Sequence, residues 1–66
     1  MTFAEVMAEL AQDQGKAYGS KETCTAAWLD SDDKSLQVCS YYGDGYGAPI
    51  CPSLKALRAT DWEEVK

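Results

Sequence analysis

The side chains of this chain that could do chemistry are three cysteines, eleven carboxylates, six basic residues and seven aromatic rings; among 66 residues there is no histidine. Without an imidazole the chain lacks the commonest general base near neutral pH, the Ser-His and Cys-His nucleophile pairs, and mixed Cys/His zinc sites. Cys24, Cys39 and Cys51 are odd in number and form no CxxC. They read as buried thiols serving as small core residues. A zinc site would need its fourth ligand from Asp or Glu. The carboxylates fall in turns and near the termini, not in apolar stretches that would raise a pKa for acid–base work. Gly43-x-Gly45-x-Gly47 runs into Pro49 and lacks the Lys and the following helix of a phosphate loop. Asp30-x-Asp32 opens like a calcium loop, but Ser35 and Tyr41 stand where the Gly and the bidentate Glu belong. The pattern predicts no catalytic residue, no metal site and no cofactor, and so a protein that acts by binding.

Six aromatics can supply a binding surface: Tyr18, Trp28, Tyr41, Tyr42, Tyr46 and Trp62. Tyr41, Tyr42 and Tyr46 sit among glycines, where the backbone can approach a ligand closely, and their rings suit stacking on a nucleobase or filling a protein interface. The simpler reading places Trp28 and Trp62 in the core and makes Tyr41 and Tyr46 cross-strand partners. The formal net charge is −5. Lys16, Lys21, Lys34, Lys55, Arg58 and Lys66 are scattered and predict no basic patch, which argues against direct nucleic-acid binding and against an anionic membrane surface. Two acidic clusters, Asp30/Asp32/Asp33 and Asp61/Glu63/Glu64, read either as solvated faces or as a nucleic-acid mimic that docks on a basic groove.

These side chains must be positioned by the elements of a single small α+β domain over 1–66. The expected architecture is an N-terminal amphipathic helix packed on a small antiparallel sheet, with a short second helical turn near the C-terminus. Thr2-Phe3-Ala4-Glu5 is a capping box, and Phe3, Val6, Met7, Leu10 and Ala11 make one apolar stripe. The spacing predicts a helix over 3–14, stopped by Gly15. Lys16-Ala17-Tyr18 can start a short strand that Gly19-Ser20 would break. A strand over 23–29 puts Cys24, Ala26 and Trp28 on one face. It forms a hairpin with a strand over 35–41, which carries Leu36 and Val38 together. Asp44-Gly45 signals a turn, and 46–51 an edge strand. Ser53 caps a helical turn over 54–59 with Leu54 and Leu57 inward, and 61–65 closes the chain as a strand with Trp62 packed. The start of the chain has no basic region followed by a long apolar run, so no signal peptide is expected, and the reading is cytosolic.

In this order the elements resemble those of the phage-encoded Thoeris anti-defence two family. The similarity lies in the Phe3-Ala4-Glu5-Val6-Met7-Ala8-Glu9-Leu10 helix ending near Gly15-Lys16 and in the strand ending Trp28-Leu29-Asp30. It continues in Pro52-Ser53-Leu54-Lys55-Ala56-Leu57 and in the closing Ala59-Thr60-Asp61-Trp62-Glu63-Glu64-Val65. The resemblance implies a compact, self-associating α+β protein that holds a cyclic nucleotide immune signal at a subunit interface without cleaving it; one branch of the family is anti-CRISPR. Trp62 and Asp61 match its closing motif, and Lys16 matches the basic residue after its first helix. Where relatives carry an Arg and then a Trp, this chain has Ala17-Tyr18-Gly19-Ser20-Lys21-Glu22, and it lacks the longer middle segment of the larger members. On this resemblance Tyr42, Tyr46 or Trp62 would stack a base while Lys16, Lys21 or Arg58 neutralise phosphate. The competing expectation is a host defence protein as partner, docked through Asp30, Asp32 and Asp33.

Overall fold

The computed structural model describes residues 1–43 and 45–65. Thr2 caps the first helix as its sequence predicts. Its hydroxyl accepts from the Glu5 N–H at 3.3 Å, and the Glu5 carboxylate accepts from the Thr2 N–H at 2.9 Å. Helix α1 spans Phe3–Leu10, shorter than the expected 3–14. Beyond Ala11 no apolar side chain is left to bury, and the backbone turns left-handed at Asp13 (φ 54°) and Gly15 (φ 70°). Five strands follow: β1 (Ala17–Ser20), β2 (Thr25–Leu29), β3 (Leu36–Tyr41), β4 (Tyr46–Pro49) and, after a second helix, β5 (Glu63–Val65). They form one antiparallel sheet in the order β4-β3-β2-β1-β5. The second helix, α2, spans Leu54–Arg58, with the Ser53 hydroxyl accepting from the Ala56 N–H at 3.2 Å. The α+β layout expected from the sequence is the one observed.

One face of the sheet carries both helices, the two-layer arrangement that lets each bury its apolar side. Val6 and Leu10 from α1 pack there with Tyr18, Ala27, Ala56, Ala59 and Trp62. The segment bearing α2 crosses this face from the β4 edge to the β5 edge, and Trp62 locks it down. Its ring lies 5.2 Å from that of Phe3, and its indole N–H donates to the Ala56 carbonyl at 2.9 Å. Among the described residues the opposite face carries no helix. It is covered by its own aromatic side chains: Tyr41, Tyr46 and Trp28 spread over Ala26 and Cys39, which are buried. The rings of Trp28 and Tyr46 are 5.3 Å apart and those of Tyr41 and Tyr46 5.6 Å.

Several expectations need correction. Gly19 and Ser20 do not break β1 but belong to it. A Cβ on Gly19 would sit 2.8 Å from the Tyr41 ring, so glycine is what lets that ring lie across the sheet. Cys24 is not in β2; it is exposed at φ 52° and closes the turn between β1 and β2. Only Cys39 is a buried thiol, and burial pushes its pKa up; Cys24 and Cys51 are exposed. Trp28 is only partly buried. Leu54 and Leu57 face outward, 59% and 44% exposed, while Ala56 and Ala59 point in, where the Trp62 indole donates to the Ala56 carbonyl and fills the space beneath α2. Asp44, at the tip of the expected Asp44-Gly45 turn, and Lys66 lie outside the described residues.

Candidate functional site

At one end of the sheet the turn 21–24 faces the last turn of α2. The turn is fixed from beneath by Asp61. Its carboxylate accepts from the Ser20 hydroxyl at 2.6 Å and from the Glu22 N–H at 3.0 Å. Ser20 Oγ in turn accepts from the Thr23 N–H at 3.3 Å and the Thr23 hydroxyl at 2.9 Å. These bonds hold the Asp61 pKa below the usual carboxylate range, the Ser20 hydroxyl first and the Glu22 amide second. Asp61 therefore stays ionised and committed to the turn.

Between this turn and α2 lies a cleft of about 340 Å³, lined by Glu22, Thr23, Lys55, Arg58, Ala59 and Thr60. Lys55 and Arg58 are three residues apart on α2, the spacing that puts two side chains on adjacent turns of one face. The ion pairs among the described residues are Lys16 with Glu64 at 3.4 Å and Lys34 with Asp13 at 3.1 Å. Neither Lys55 nor Arg58 takes part in one. The nearest committed acid, Asp61, is already spent on Ser20 and Glu22. The cleft thus presents two cations, the Thr60 hydroxyl and the Glu22 carboxylate to solvent, while the Thr23 hydroxyl proton is given to Ser20; the two cations are the part of this set suited to phosphate or another small oxyanion.

A second cleft, of about 260 Å³, sits at the opposite end, where the turn after α1 meets the end of β2; it includes Lys16, Lys34 and the edge of Trp28. Both of its lysines are held by carboxylates, so it offers an anion less.

The residues singled out in the sequence are not brought to one place. Arg58 lines the first cleft, and Asp61 supports it from behind. Lys21 leaves the same turn but reaches toward Gly43, its Cε 3.9 Å from where a Gly43 Cβ would stand. Tyr42 is 70% exposed beside Gly47. Tyr46 is on the other face, against Trp28 and Tyr41, so Tyr42 and Tyr46 cannot flank one base. Trp62, 1% exposed, offers no ring face to a ligand. Lys16 lies beyond the far end of β1 and is paired. Glu22, Thr23, Lys55 and Thr60 were missed. The Lys55/Arg58 spacing on a capped helix was the one signal for them, since their partners in the cleft come from a turn more than thirty residues earlier.

The acidic turn expected to dock a partner is also built from its own carboxylates. Asp30 Oδ1 accepts from the N–H groups of Asp32 (2.8 Å) and Asp33 (3.4 Å). Asp33 Oδ1 accepts from the Ser35 N–H at 2.9 Å, a bond that lowers the Asp33 pKa. Among the described residues Asp32 has no such duty. Among the described residues no group of three His, Cys, Asp or Glu could hold a metal ion, and no helix is long and apolar enough to cross a membrane. No protein-family model, no curated protein and no solved structure matches this chain.

Proposed function

We propose that this is a phage anti-defence protein that sequesters a cyclic nucleotide immune signal in the host cytoplasm without cleaving it, its phosphate held by the Lys55–Arg58 cleft. The observation that carries the reading is two cations, unpaired among the described residues, beside the Thr60 hydroxyl in one cleft of a chain whose net charge is −5. An acidic body repels a long polyanion in proportion to its charge, but a ligand with one or two phosphates meets mainly the local field. The family resemblance supplies the cyclic nucleotide, and Tyr42 and Lys21, on the neighbouring loop and turn, supply a stacking ring and a further cation. A stacked base contributes about 1–3 kcal/mol. The outward Leu54 and Leu57 beside the cleft support self-association there. Isothermal titration with a panel of cyclic nucleotides tests the proposal; heat with at least one, and recovery of that ligand intact, is expected. No heat with any of them removes it.

A protein–protein inhibitor, anti-CRISPR-like or a nucleic-acid mimic, is the second reading. It is favoured by the exposed acidic turn at the end opposite the cleft. Because Asp30 and Asp33 hold that turn together, Asp32→Lys is the variant that changes charge without opening it. This reading expects inhibition of a host defence enzyme that weakens with salt and with Asp32→Lys; inhibition indifferent to both ends it.

A further inference from the structure

Glu22 lines the same cleft as Lys55 and Arg58, yet pairs with neither. An ionised carboxylate only accepts hydrogen bonds, so it repels phosphate oxygens and calls for a donor. Two nearby cations disfavour an ammonium as that donor and favour a neutral one, and on the nucleotide reading of the cleft the neutral donor next to the phosphate is a ribose hydroxyl. Thr23, with its own proton given to Ser20, has lone pairs to spare for the same kind of group. The root of Glu22 is fixed, because its N–H is held by Asp61 Oδ2 at 3.0 Å and the adjoining Thr23 by Ser20. A carboxylate on so anchored a root is in reach of what lies next to a phosphate held by Lys55 and Arg58.

We propose that Glu22 is a specificity-determining residue that accepts a hydrogen bond from a free ribose hydroxyl, so that the cleft takes ribonucleotides in preference to their deoxy forms and to inorganic phosphate. This rests on the anion-binding reading of the cleft. It adds a preference that the two cations alone do not give.

The probes are 5′-AMP, 2′-deoxy-AMP, 3′-deoxy-AMP and inorganic phosphate, titrated into the full chain and into Glu22→Ala. The variant removes an exposed side chain and leaves the main-chain bond to Asp61 in place, so it folds. Its circular dichroism should overlay that of the wild type. In the wild type at least one deoxy form should bind at least tenfold more weakly than 5′-AMP, as expected for a lost hydrogen bond to a charged group. In Glu22→Ala that ratio should fall to within about twofold, and inorganic phosphate should bind no more weakly than before. Equal binding of all three nucleotides by the wild type, weakened by Arg58→Gln, overturns the role of Glu22 and leaves the phosphate site standing. A ratio that persists in Glu22→Ala overturns it as well. If neither inorganic phosphate nor any nucleotide binds the wild type, the anion-binding reading falls and takes this inference with it.

Discussion

Two residues show how much of this molecule depends on single atoms. Gly19 has no Cβ, and the Tyr41 ring occupies the space where one would be, 2.8 Å away. Gly19→Ala should therefore cost about 1–3 kcal/mol, the range for forcing extra carbon into a packed site, measured as a lower urea midpoint. Asp61 binds two donors of the turn through one carboxylate. Asp61→Asn should cost about 1–3 kcal/mol at pH 7. Its pKa is lowered in the folded state, so its contribution is full above the unfolded carboxylate value, about 3.9, and is lost as the pH falls through the folded value. The stability gap between wild type and Asp61→Asn should hold from pH 7 to about pH 5 and narrow below about pH 4. A gap that is unchanged at pH 3 contradicts the assignment.

At the level of elements, α1 rests on its capping box. Thr2→Ala removes the hydroxyl that accepts from Glu5 and should cost about 0.5–2 kcal/mol, read by thermal melting. The start and face of this helix were legible in the sequence because cap and stripe are local signals; its end was not, since the helix closes at Leu10 and not at 14. Also legible were the β2–β3 hairpin, with Ala27 opposite Val38 and Leu29 opposite Leu36, and the edge position of β4. The parts that were not legible depend on distant contacts. Gly19-Ser20 looks like a breaker until the Tyr41 ring from another strand fills the space above it. Leu54 and Leu57 look like the core stripe of α2, but the Trp62 indole, from a later segment, takes the space beneath the helix and meets Ala56 and Ala59 there. Of the candidate site, Arg58 and Asp61 were named from sequence, whereas the pairing of α2 with the turn 21–24 came only from the path of the chain across the sheet.

Taken whole, the molecule is a small sheet with helices on one face and aromatic rings on the other. Trp62 joins its first and last elements. The indole packs on Phe3, and the Trp62 N–H donates to the Met1 carbonyl at 3.2 Å. A chain of this size has little stability to spare, so Trp62→Ala, at about 3–5 kcal/mol, should leave it largely unfolded at 37 °C by circular dichroism. The acidic turn and Asp13 lie at one end with Lys16 and Lys34, and the Lys55–Arg58 cleft with Glu22 at the other. The most direct test of the proposed function is calorimetric titration of cyclic nucleotides into the wild type and into the Lys55→Gln/Arg58→Gln double variant. At least one nucleotide should bind the folded wild type and be recovered uncleaved, with affinity at least tenfold lower in the folded double variant. Equal affinity in the two proteins, or no binding to the wild type, would contradict it.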